Sequence, residues 1–195
     1  IDRMVRALKR IEVHLPFDTL PMWAARASGL TCPMRVARTI EPVERLDRFG
    51  DNLANAYAAL RNDYREAHWR ETMDYVRLGL GENVESVNTR ADPGGSAIAL
   101  RIKYRGLDEQ RPASGLSDGT LAYLAFVALF RLPAKQSLLA FDEPELHLHP
   151  SLLMRVLGMF ETMAEDRSVL LATHSDRLLD GLEQPESAAA LCELD

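Results

Sequence analysis

The residues best equipped to do chemistry sit together in "LLAFDEPELHLHP", 138–150. An apolar run feeds straight into two neighbouring carboxylates, Asp142 and Glu143. Adjacent acids of different exposure suit divided labour: one holds a divalent cation, directly or through water, while the other orients an attacking water. Helix capping fits the pair less well, since Glu143 stands too far ahead of Pro150 to cap the helix that this proline should open. A second apolar run, "SVLLAT", leads into His174 and Ser175. Upstream, "SGLSDGT" sets Ser117, Asp118, Gly119 and Thr120 at the head of another apolar stretch. In "ELHLHP", His147 and His149 alternate and with Glu145 would offer three ligands to zinc or manganese. Hydrogen bonding, or capping of the next helix, is the plainer role for those histidines.

Such residues need strand ends and helix starts to hold them. "RIEVHLPF" alternates Ile11, Val13 and Leu15 with polar residues, predicting a strand that enters a proline-bounded loop. The following residues, broken by Pro16, Pro21, Gly29, Pro33 and Pro42, read as irregular. One long helix is predicted from Asp51, its N-cap, with Leu53, Ala56, Tyr57, Leu60 and Tyr64 as the apolar stripe and an end near Gly79 or Gly81. "NVESVNTR" and "SAIALRIKYRG" flank "ADPGG" and predict a hairpin. "LAYLAFVALFRL" is apolar almost all round, as a buried helix is, and Pro133 stops it.

"SLLAF" reads as a buried strand, Pro150 opens a helix with Leu152, Val156, Phe160 and Met163 on one face, and "SVLLAT" makes a second buried strand before the short helix "RLLDGL". Strands without alternation imply a parallel sheet covered on both faces. The fold class expected is therefore α/β, a partly parallel sheet flanked by helices, with an inserted helix and β-hairpin region. In open sheets of this kind chemistry collects at the carboxyl ends of the strands, where Asp142, Glu143 and His174 all fall.

Bulk properties narrow the class. A chain of 195 residues can bury a real core, and 47% hydrophobic with 27% charged residues is ordinary for a globular protein. No apolar run reaches the ~18 residues of a membrane span, and no h-region follows the basic N-terminus, so neither membrane nor secretion is expected. Cys32 and Cys192 provide neither a disulfide framework nor a zinc pattern, which fits a reducing cytoplasm. The net charge of −6 argues against a general nucleic-acid surface. Residues 1–50 nevertheless hold 9 Lys/Arg against 6 Asp/Glu, so DNA is kept as a candidate partner through Arg3, Arg6, Lys9 and Arg10.

Taken together, "LLAFDEP" resembles the Walker B motif of ABC-type ATPases, "LSDGT" their signature motif and "LLATHS" their switch-histidine segment. They occur in the family's order, 25 residues from Ser117 to Asp142 and 32 from there to His174. "DEPELHLHP" and "RFGDNLANAYAAL" are most similar to the branch with RecF-like and chromosome-maintenance-like heads, which includes bacterial AAA-family ATPases of the overcoming-lysogenization-defect type. The resemblance covers about residues 40–180. It implies ATP and Mg²⁺ as cofactors, Glu143 and His174 as catalytic residues and Asp142 as the metal anchor. It further implies that Ser117, Asp118, Gly119 and Thr120 meet the γ-phosphate bound by an opposite subunit, and that "ELHLHP" crosses a dimer interface.

A phosphate-cradling G-x-x-x-x-G-K-[ST] loop is not among these residues: none of Lys9, Lys103 and Lys135 follows glycine or precedes Ser or Thr. Gln110, Gln136 and Gln184 are out of place for the glutamine that helps hold Mg²⁺ in the family. The expectation is one incomplete ATPase domain, with residues 1–110 as the connecting strand, helix and hairpin region and 111–195 as the lobe bearing the motifs. Its expected partner is a second ATPase head, either a homodimer mate or a split half that carries Walker A. DNA repair, chromosome handling and phage defence all use such heads. Two alternatives stand beside this: a non-hydrolysing interaction module derived from such an ATPase, and a metal-dependent nuclease using the acids and histidines.

Overall fold

The computed structural model describes residues 4–5, 8, 10–20, 32–133, 136–182 and 190. In chain order its regular elements are β1 (Ile11–His14), β2 (Arg38–Thr39), α1 (Leu53–Asn62), α2 (Glu66–Leu80), β3 (Val84–Ala91), β4 (Ala97–Tyr104), β5 (Arg111–Pro112), α3 (Asp118–Arg131), β6 (Leu138–Asp142), α4 (Pro150–Ala164), β7 (Ser168–Ala172) and α5 (Asp176–Asp180). Short 3-10 turns at Pro33–Arg35 and Ala113–Gly115 lie between them. One sheet is parallel in the order β1-β6-β7; the other is antiparallel, with β4 pairing β2, β3 and β5. This is the α/β class expected, with the hairpin β3–β4 where "ADPGG" put it. Asp92 closes that turn, its Oδ1 accepting the N–H groups of Ser96 at 2.8 Å and Ala97 at 2.9 Å.

Helix α3 is the hub. Every residue from Leu121 to Leu129 is buried, which is why its sequence shows no polar face. Phe126 on α3, Phe141 on β6 and Phe160 on α4 form one aromatic cluster with ring centroids 4.7–5.7 Å apart. On the other side the Tyr57 hydroxyl donates to the Leu124 carbonyl at 3.1 Å, and the Tyr123 hydroxyl donates to the Tyr75 carbonyl at 2.7 Å. Gly79 is required there, because a Cβ at that position would meet Tyr123 Cζ at 2.2 Å.

Three features differ from what the sequence pattern suggests. The long helix from Asp51 is two helices, broken at residues 63–65, and the N-terminal flanking residue is Asn52 rather than Asp51. The apolar stripe explains the break: Leu60 and Trp69, both buried, are nine residues apart, and at about 100° per residue a continuous helix would put them on opposite sides. Restarting at Glu66 lets Trp69, Thr72, Met73 and Val76 face inward.

Second, β1 buries the opposite set from the one its pattern favours. Glu12 and His14 point inside while Ile11 and Val13 are 41% and 42% exposed. His14 Nε2 lies 2.6 Å from Glu12 Oε1, its ring stacks on Phe141 with centroids 5.2 Å apart, and the Gln136 amide donates to Glu12 Oε2. A paired, hydrogen-bonded couple can be buried where a lone charge could not. Third, among the described residues the parallel sheet is covered on one face only. Helices pack against Leu139 and Phe141, but Ile11, Val13 and Leu170, the last 59% exposed, share an open face. Arg3, Arg6, Lys9 and Cys192 lie outside the described residues. Cys32 is buried, its thiol donating to the Asp18 carbonyl at 3.1 Å.

Candidate functional site

Strands β6 and β7 are adjacent and in parallel register, with Asp142 opposite Ala172. The turns after both strands therefore open at the same sheet end, where Glu143 meets His174. Asp142 is exposed at the last position of β6. Glu143 turns out of the strand in a left-handed conformation, φ 49°, and its N–H donates to the Ala172 carbonyl at 2.8 Å. Its Oε1 then lies 3.4 Å from His174 Nε2. The Glu143 side chain is 27% exposed and that of His174 94%, so the carboxylate is partly shielded while the imidazole reaches into solvent. A hollow lined by Phe17, Phe141, Asp142, Glu143 and Pro144 has room for a water rather than a nucleotide.

The start of α3 is the second component. Ser117 is its N-cap: Oγ accepts the Thr120 N–H at 3.2 Å and lies 2.8 Å from Thr120 Oγ1. The first N–H groups of a helix lack intrahelical acceptors, so this end presents donors and the positive end of the dipole. Gly119 is pressed against the acid-pair loop; a Cβ there would stand 2.7 Å from the His147 carbonyl oxygen. The signature-like and acid-pair segments are therefore direct neighbours within one chain.

Arg35 was not among the residues singled out by sequence, and it holds this start in place. Buried at 6% exposure, it donates from Nε and Nη2 to the Thr19 carbonyl, from Nη1 to the Ala113 and Leu116 carbonyls, and from Nη2 to Asp118 Oδ1 at 2.5 Å. The planar guanidinium can satisfy all of these at once, which an ammonium cannot. The Asp118 carboxylate is thus engaged inside the chain. No local signal links Arg35 to Asp118 across 83 residues.

The zinc arrangement drawn from Glu145, His147 and His149 does not form. Glu145 turns toward β7, accepting from Thr173 Oγ1 at 2.5 Å and from the His174 N–H at 3.3 Å. His149 caps α4, its Nδ1 accepting the Ser151 N–H at 3.3 Å. Among the described residues, no three of His, Cys, Asp and Glu gather as a metal cluster. Asp142 still fits Mg²⁺, a cation often held by one or two carboxylates plus waters and substrate phosphates.

This fold is that of an ATPase head. A head domain of Smc bound to the C-winged helix domain of ScpA superposes with a TM-score of 0.51 at 16% identity, over 85% of this chain and 50% of that one. The Smc head from Pyrococcus furiosus, bound to the C-terminal domain of ScpA, matches at 18% identity over 60% of this chain and 30% of that one, TM-score 0.47. The SMC head from Thermotoga maritima matches at 16% identity over 65% and 44%, TM-score 0.41. The chain spans half or less of the length of these three structures. No curated protein matches it. Residues 35–180 match the family described as "AAA domain, putative AbiEii toxin, Type IV TA system", and the chain belongs to that family. Family and fold together support a nucleotide-binding ATPase module. Among the described residues, no helix is long and apolar enough to cross a membrane.

Proposed function

We propose that this chain is the motif-bearing lobe of an ABC-type ATPase head of the RecF and chromosome-maintenance-like branch, hydrolysing ATP once completed by a segment that carries Walker A. The observation that carries this reading is the 3.4 Å approach of Glu143 to His174 at the shared end of adjacent parallel strands, one residue beyond Asp142. Glu143 orients and deprotonates the attacking water, and its partial shielding favours a carboxylate that acts on one fixed water. Exposed His174 is free to contact the γ-phosphate. Asp142 would hold Mg²⁺, which neutralises charge on the phosphates when bound. The capped α3 start offers the backbone N–H groups of Asp118 and Gly119 and the hydroxyls of Ser117 and Thr120 to the phosphate bound by a second head, the Thr120 N–H being taken by Ser117 Oγ and the Asp118 carboxylate by Arg35.

Two features support completion by another segment. The hollow beside the acids cannot enclose a nucleotide, and the apolar face around Ile11, Val13 and Leu170 is open where parallel sheets are normally covered on both sides. A homodimer mate or a split half carrying Walker A meets both needs. DNA handling and phage defence are the processes in which we place the cycle.

The deciding experiment measures ATP hydrolysis by the chain alone and with the polypeptide encoded immediately upstream. Turnover that appears only in the mixture, and vanishes with Glu143→Gln while ATP binding and a nucleotide-dependent dimer persist, is the expected result. Unchanged turnover in Glu143→Gln would remove its catalytic role. Ser117→Arg should block the nucleotide-dependent dimer on a sizing column without unfolding the chain; a normal dimer would refute the role of the α3 start.

A further inference from the structure

Beyond the acids and the histidine, the structure assigns a positioning role to Glu145: its carboxylate brackets the turn after β7 to the turn after β6, and so sets where His174 stands relative to Glu143. The inference rests on the ATPase reading for what is being positioned, but the bracket itself is a property of this chain.

The argument begins with His174. Its side chain is 94% exposed, and the contact recorded for its ring is the 3.4 Å approach to Glu143. An imidazole without packing around it takes its place from its backbone. That backbone is fixed by Glu145: Oε1 accepts from the His174 N–H at 3.3 Å and from Thr173 Oγ1 at 2.5 Å. Thr173 Oγ1 in turn accepts the Ser175 N–H at 3.0 Å, and Ser175 Oγ caps α5 by accepting the Leu178 N–H at 3.3 Å. One carboxylate thus orders three consecutive residues and the start of the following helix.

The other end of the bracket is equally constrained. Residues 143–149 hold two non-glycine residues in the left-handed region, Glu143 at φ 49° and His147 at φ 66°. Such conformations persist only where surrounding contacts over-determine them. Here the Leu146 N–H donates to the Glu143 carbonyl at 3.1 Å and the Leu148 N–H to the Glu145 carbonyl at 3.0 Å. The backbone of Glu145 therefore braces the loop that aims Glu143, while its side chain braces the loop that aims His174.

A single carboxylate oxygen makes both contacts to the turn after β7. Glu145 Oε2 is buried and meets no hydrogen-bond donor among the described residues.

The test uses amide hydrogen exchange by NMR on the chain itself, comparing wild type with Glu145→Ala and Glu145→Gln. Loss of the acceptor should speed exchange at the His174 and Ser175 amides by about tenfold or more, with the amides of β6 unchanged. Glu145→Gln should stay close to wild type, because its amide oxygen still accepts from Thr173 and His174. Equal exchange at residues 174–175 in all three proteins, or a uniform acceleration that includes β6, would overturn the proposal. In the completed ATPase, Glu145→Ala should lower kcat with little change in KM for ATP, and Glu145→Gln should restore it. If no completed form hydrolyses ATP, the ATPase reading fails by itself and the exchange data still decide the bracket.

Discussion

Gly119 and Gly158 show how one residue type serves different ends. At Gly119 an added methyl would come within 2.7 Å of the His147 carbonyl, a backbone atom that cannot swing aside, whereas at Gly158 nothing lies within 4 Å. Gly119→Ala should therefore destabilise the chain by about 1–3 kcal/mol, the usual range for overpacking. Gly158→Ala, inside α4, should stabilise it by up to about 1 kcal/mol through helix propensity. Urea unfolding midpoints of the two variants should move in opposite directions. A common direction would show that the contact between the α3 start and the acid-pair loop is slack. Both glycines stand plainly in the sequence, but which one touches another backbone does not.

Among the elements, β1 carries the clearest pH dependence. Burial alone would push the Glu12 carboxyl up, but the hydrogen bond and charge of His14, helped by Gln136 and Arg45, outweigh it and hold the group below its usual 4.5. A folded-state value below the unfolded one means that this carboxylate contributes stability at pH above about 4.5, and that the contribution is lost as pH falls through the lowered value. Glu12→Gln should flatten the acid limb of stability against pH between about pH 5 and pH 3. Superimposable limbs for the two proteins would remove the Glu12–His14 pair as its cause. The alternation in "RIEVHLPF" marked a strand correctly, but not which of its two sets of residues would face inward. Hydropathy alone ranks Ile11 and Val13 above Glu12 and His14, and it has no knowledge that the polar pair would satisfy itself inside. The missed break between α1 and α2 was legible in principle, since the stripe changes phase between Leu60 and Trp69.

For the whole molecule, the open sheet face matters most. Apolar patches of this kind on a globular surface mark contact sites. Leu170→Lys, at a position 59% exposed, should leave unfolding free energy within about 0.5 kcal/mol of wild type, as surface changes do. If the proposed Walker A-bearing segment docks on this face, the same variant should weaken its capture at least tenfold, equivalent to about 1.4 kcal/mol. Undiminished capture would mean that completion occurs elsewhere.

What the sequence determined by itself was local: apolar runs that must be strands or buried helices, Pro150 and Ser117 at helix starts, and an acid pair and a histidine each placed just past a strand. Those features follow from backbone chemistry within a few residues, and they were enough to reach the fold class and to set the candidate residues at strand and helix ends. Tertiary structure alone decided that β6 lies between β1 and β7, that Arg35 takes the Asp118 carboxylate, that Glu145 reaches Thr173 and His174 rather than a metal, and that the described residues leave one face of the parallel sheet open. Each depends on groups 28 or more residues apart meeting at hydrogen-bond distance or failing to be covered. A linear pattern records what a residue can do, and only packing settles which partner is near enough for it to do so.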